Sequence, residues 1–410
     1  MRFVWGKFAG AVAAGALLLG GSTVGMVGHA PAVSAQSAPS MSAADLRITL
    51  SRLLAEHVLI TGVMLEKQVD NAPDYQTVAL ADQQNGQQIG DLVGSLYGAD
   101  AESTFLTAWM QHLQAYTDYT QGLLTGDTTM QQQAQTTLQS DVQATSALLA
   151  GATGLDAGTL SADLSTHVQQ TIDFVTAYAG KDYPTAYMGA SQAVDHMFMM
   201  GDLLAGAISA QMPQMFPGSA DDATANMRAR VDDLLAQHTA LAGIAEQKEF
   251  DQAPDFPAVA NALDMNSQMI AQLVGNVFGT QDANTFLSLW QSHIQAYSDF
   301  TAALRNGDQT GMATATSTLT QFVADTTTLL TEALPTLDAA TVSQMLTDHV
   351  MGTVMLIQAY ASGDYPTTYA TATMGIDHMF MFGDMLVNAI AQKTGLTQSG
   401  QATSQTPTGM

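Results

Sequence analysis

The sequence predicts an all-α protein made of two tandem homologous six-helix bundle domains, each built from three helical hairpins. Three observations carry this. Apolar residues recur every three or four positions, as in Leu46, Leu50, Leu53, Leu54, Ile60 and Met64, with no strand-like alternation. Breaks come at regular intervals, at Ala72-Pro73-Asp74, Gly98-Ala99-Asp100, Gly126-Asp127, Gly154-Leu155-Asp156 and Lys181-Asp182-Tyr183-Pro184. The chain then repeats itself: TFLTAWMQHLQAYTDYT at 104–120 matches TFLSLWQSHIQAYSDFT at 285–301 at 10 of 17 positions. DHMFMMGDLLAGAI at 195–208 matches DHMFMFGDMLVNAI at 377–390 at 10 of 14, APDY at 72–75 returns as APDF, and DYPTAY at 182–187 as DYPTTY. The offset is 181 in the first stretch and 182 in the second, which places a one-residue insertion near Pro335.

Taken in order, residues 1–35 read as a secretory signal. Arg2 and Lys7 precede an apolar stretch from Phe8 to Leu19, and Val33-Ser34-Ala35 offers a small-residue cleavage site. Residues 36–43 are expected to be a flexible joint. Six helices follow at about 44–69, 75–97, 101–125, 128–151, 157–180 and 184–210, since Gly suits a helix end and Asp caps the next start. The first domain thus spans 44–213, and 214–220 is a linker through Phe216-Pro217-Gly218-Ser219. The second domain covers 221–394, and the Gln/Ser/Thr/Gly-rich tail 395–410 is expected to be disordered.

Composition excludes several classes. With 11 Lys+Arg against 37 Asp+Glu, the net charge of −26 argues against nucleic acid or an anionic membrane surface as partner. The absence of cysteine removes disulfides, thiolate metal sites and Cys nucleophiles. No stretch after the leader holds ~20 unbroken apolar residues, so no membrane span is expected in the mature chain, which is placed outside the cytoplasm as a secreted or envelope protein. No Ser-His-Asp order, Gly-rich phosphate loop or Gly-x-Ser-x-Gly elbow appears, so an enzyme reading lacks its nucleophile.

The histidines carry the chemistry. Beyond His29, eight form four pairs across the repeat: His57/His238, His112/His293, His167/His349 and His196/His378. In each domain they fall near the middle of the first, third, fifth and sixth helices, so four imidazoles are expected to converge inside each bundle. Each taken alone is most simply a hydrogen-bonded core histidine, but four in one apolar layer need acceptors or a ligand. Met199 and Met381 follow His196 and His378 by three residues and share their faces. Ferritin-like di-iron chemistry is disfavoured, because none of the six Glu beyond the leader is paired across the repeat. An all-His set suits zinc or copper, and a thioether shifts the choice toward copper or a similar transition metal. Haem clamped by two histidines is the alternative, suited by the stripe Phe105, Trp109, His112, Tyr116 and Tyr119. A ligand-free structural or adhesive envelope protein with polar core layers is another. Asp195/Asp377 and Asp202/Asp384 could orient the imidazoles or simply solvate helix faces.

The segments LLAEH, FLTAWMQH, DYPTAY and DHMFMMGDLLAGAI resemble a group of uncharacterised secreted bacterial helical-repeat proteins. Some of these are attached to copper amine oxidase N-terminal-like domains. HMFM-x-GD is the most specific part, and the resemblance implies an extracellular helical module. Nothing here supplies the quinone-forming Tyr context of a true amine oxidase. The expected role is metal sequestration or buffering, with no protein partner indicated.

Overall fold

The computed structural model describes residues 41–396, which form twelve α-helices. The first six are α1 (Ala43–Val69), α2 (Tyr75–Tyr97), α3 (Ala99–Thr125), α4 (Thr128–Thr153), α5 (Ala157–Ala179) and α6 (Tyr183–Gln211). The second six are α7 (Ala223–Phe250), α8 (Phe256–Phe278), α9 (Thr280–Asn306), α10 (Gln309–Ala333), α11 (Ala339–Ser362) and α12 (Tyr365–Thr394). The expected secretory signal, most of the joint and residues 397–410 lie outside the described residues.

Local chemistry sets these boundaries. Asp127, Asp156, Asp308 and Asp338 accept hydrogen bonds from the exposed first-turn amides of α4, α5, α10 and α11. Pro184 and Pro366 sit in the first turn of α6 and α12, where no amide hydrogen is needed. Gly126 and Gly307 end α3 and α9 in the left-handed region, at φ 70° and 68°, which a Cβ would strain. The extra residue of the second half falls in the α10–α11 connection, where Leu334 is buried against Ala389 and Ile390. At the front, Ser42 forms a capping box with Asp45 and Ala43 is already buried, so the helix begins inside the expected joint. Gly395 caps α12 and Leu396 packs beside Leu334, so the first two residues of the expected tail are ordered by contact.

Consecutive helices pack on one another in each half, and α1 closes onto α6 as α7 does onto α12. Both homologous halves lie within one compact unit. A shared apolar cluster joins them through Ala55, Val194, Phe198, Ala236, Ile376 and Phe380. Residues 214–220 are part of this packing rather than a free tether: Phe216 and Ala220 are buried, and Pro217 accepts from the Ala43 amide.

Reciprocal polar contacts complete the seam. Arg47 binds Asp202 through two nitrogens and reaches across to Asn226 at 2.6 Å, while Arg228 binds Asp384 and reaches Asp45 at 2.6 Å. Tyr187 donates to Asp255 at 2.8 Å, and Tyr369 donates to Asp74 at 2.6 Å. Lys248 lies 2.9 Å from Asp255 and 3.0 Å from Asp70, and the equivalent Lys67 lies 2.8 Å from Asp74. The repeated APD[YF] and DYPT[AT]Y segments are therefore two sides of one lock, each half supplying the carboxylate that the other's tyrosine holds.

Among the described residues, α1 alone is long and apolar enough to cross a membrane. In the folded chain its Leu46, Leu53 and Leu65 are buried in the core, and its Arg47 and Lys67 are paired with Asp202 and Asp74.

Candidate metal centres

α1, α3 and α5 bring His57, His112 and His167 together, and α7, α9 and α11 do the same for His238, His293 and His349. All six are buried, and in each triad one nitrogen from every ring lies within 4.8 Å of the other two. Ring centroids are 5.7, 5.5 and 5.5 Å apart in the first triad, and 5.5, 6.1 and 6.3 Å in the second. A tetrahedral ion with bonds of 2.0–2.1 Å sets its ligands about 3.4 Å apart, so the rings need to close by about 1 Å to share one. Rigid aromatic neighbours limit where they can go: Trp109 lies 4.3 Å from His57, Tyr116 lies 4.5 Å from His112, and Trp290 lies 4.6 Å from His238.

Hydrogen bonding shows what the rings lack. Eight ring nitrogens of these six histidines are buried without a hydrogen-bond partner, including both nitrogens of His238. A neutral imidazole must carry one N–H, so His238 buries an unpaired donor at a cost of about 1–3 kcal/mol. The carbonyls of Leu289 and Trp290 lie near His293, but neither completes a hydrogen bond. Burial holds His57 below its ordinary pKa, and His167, His238 and His293 well below theirs; it takes His349 down to about 4. Neutral imidazole is the form that ligates a metal, so burial prepares these donors.

The first triad also has an outer layer. Thr61 donates to Asp82 at 2.8 Å, leaving its oxygen, 3.2 Å from His57 Nδ1, as the acceptor there. Asp82 itself lies 3.5 Å from that nitrogen. The arrangement favours the Nδ1–H tautomer and leaves the Nε2 lone pair, which has no partner, free to ligate. Asp141 stands 3.2 Å from His112 Nδ1, close enough for attraction though short of hydrogen-bond geometry. Asp82 and Asp141 were not among the expected site residues.

The remaining expected ligands stand apart. His196 donates from Nε2 to the Asp163 carbonyl at 3.0 Å, and His378 to the Met345 carbonyl at 2.8 Å. Those carbonyls lie one turn before His167 and His349, so the fourth histidine of each half ties the sixth helix to the fifth beside the triad. Four converging imidazoles are thus corrected to three. Met199 and Met381 are 60% and 58% exposed and point away from the buried rings, which removes the thioether from both sites. Asp202 and Asp384 are engaged with Arg47 and Arg228, and Asp195 accepts from Gln237, so these carboxylates serve the seam rather than the imidazoles.

The HMFM-x-GD segment is explained by packing. Met197 is core and Phe198 joins the halves; a Cβ on Gly201 would collide with the Ser51 backbone on α1. What the chain presents chemically is two buried three-histidine groups able to hold a metal ion. It matches no protein-family model, no curated protein and no solved structure.

Proposed function

We propose that this is an exported protein that sequesters or buffers a transition metal ion, copper or zinc, in two buried three-histidine sites. The observation that carries the reading is the pair of triads with their eight unpartnered ring nitrogens. A ligand-free polar layer would supply acceptors to these rings, as the backbone does for His196 and His378. With the methionines outside, the donor set is all imidazole, which suits zinc and copper alike. Haem fits poorly, because a porphyrin plane set between two of the rings leaves no room for the third. The enclosing Trp109, Tyr116, Trp290 and Tyr297 favour holding an ion over turning over a substrate. The leader-like segment at 1–35 supports a place outside the cytoplasm.

The test is metal content after loading the purified full chain with zinc or copper and desalting. Retention of at least one equivalent per chain, lost when His57, His112, His238 and His293 are replaced together, is the expected result. A chain that emerges metal-free after both loadings contradicts the proposal.

A further inference from the structure

The two triads differ in their surroundings far more than in their ligands. Around the first stand Thr61, Asp82 and Asp141; at the equivalent positions, 181 residues on, the second half has Ala242, Leu263 and Phe322. The differing side chains stand beside the histidines. Asp82 is fully buried and acts on His57, and Asp141 lies beside His112. In the second half the Phe322 ring stacks on His293 with centroids 4.3 Å apart, and the charges acting on the triad histidines are those of other histidines. Glu246, the nearby buried acid on α7, is held neutral by burial and hydrogen-bonded to Thr301. No carboxylate is among the charges acting on His238, His293 and His349.

Charge burial decides what each can hold. The solvation penalty for an ion in an apolar site scales with the square of its charge, so a divalent ion costs about four times a monovalent one. Two carboxylates beside the first triad balance a divalent ion. Nothing beside the second does. Resting on the reading of both triads as metal sites, we propose that they are specialised by charge: His57, His112 and His167 take a divalent cation such as zinc, and His238, His293 and His349 take monovalent cuprous copper.

The experiment is an anaerobic titration of the full chain with Zn²⁺, and separately with Cu⁺, each against a competing chelator of known affinity. Wild type, His112→Ala and His293→Ala are compared, with circular dichroism confirming retained helix. One tight Zn²⁺ equivalent is expected, lost in His112→Ala and kept in His293→Ala, together with one Cu⁺ equivalent that survives in His112→Ala. Asp82→Asn, which keeps the shape and removes the charge, should weaken Zn²⁺ binding roughly 10-fold or more and leave Cu⁺ affinity at the second triad unchanged. Two Zn²⁺ equivalents with matching affinities, or an Asp82→Asn variant that binds zinc as wild type does, overturn the specialisation while leaving the triads as metal sites. Uptake of neither ion overturns the reading beneath it.

Discussion

Phe198 and Phe380 stack on each other across the seam between the halves, with ring centroids 6.1 Å apart and planes 4° from parallel. They are equivalent positions of the repeat, and equivalent residues meet face to face only where an approximate two-fold axis passes. The reciprocal contacts of Arg47 with Asn226 and Arg228 with Asp45 obey the same relation. Each half thus completes the other, and the chain is expected to melt in one cooperative transition. Phe198→Ala should cost about 3 kcal/mol and keep the transition single; two separable calorimetric peaks in the wild type would contradict a shared core.

The buried lysines make the seam intolerant of charge deletion. Lys248 is buried among Glu66, Asp70 and Asp255, and those charges raise its pKa despite the cost of burial. Lys248→Met leaves buried carboxylates uncompensated and should cost about 3–5 kcal/mol in denaturant unfolding. Asp118→Ala, which touches only the exposed Gln114, should change stability by less than about 0.5 kcal/mol. Similar effects from the two would contradict the lock.

Stability of the metal-free chain should depend on pH with two opposed slopes. Burial raises Glu56 and Asp233 to about 7 and Glu246 to about 8, so their contribution is full below the ordinary carboxyl range and is lost as pH rises through 7–8. Burial lowers the pKa of His57, His167, His238, His293 and His349, so their contribution is full above 6.5 and is lost as pH falls, through about 4 for His349. Between about 4.5 and 6.5 the two oppose each other. The melting temperature should therefore fall by several degrees from pH 6.5 to 8.5, and again below pH 4.5. A rise from 6.5 to 8.5 would contradict the buried neutral carboxyls.

The helices were legible in the sequence because Gly, Pro and Asp punctuate them: the expected α2 at 75–97 has the bounds Tyr75–Tyr97 in the structure. Three of the four histidine positions in each half converge as their mid-helix placement implied. Retention across the repeat does not by itself mark a ligand. Met199 and Met381 are retained yet exposed, while Gly201 is retained for close packing of α6 on α1, and Asp202 and Tyr187 for the polar contacts around the seam. Asp82 and Asp141 have Leu263 and Phe322 as counterparts, so the repeat does not mark them. Contacts across a seam, and carboxylates present on one side only, become visible once the helices are placed.

The division of labour among the histidines is open to direct test. His196→Ala removes a link from α6 to the Asp163 carbonyl and should leave metal stoichiometry unchanged, at a stability cost of about 1 kcal/mol. Met199→Ala should affect neither. His167→Ala should abolish binding at the first triad. Equal loss of metal from His196→Ala and His167→Ala would restore the four-histidine arrangement.

X-ray absorption on the copper- or zinc-loaded full chain addresses the central assignment most directly. An inner shell of nitrogen at about 2.0 Å with the multiple-scattering pattern of three imidazoles, and no sulfur, is the predicted spectrum. A sulfur scatterer at about 2.3 Å, or a shell of oxygen without imidazole, would contradict the triads as the place where the metal sits.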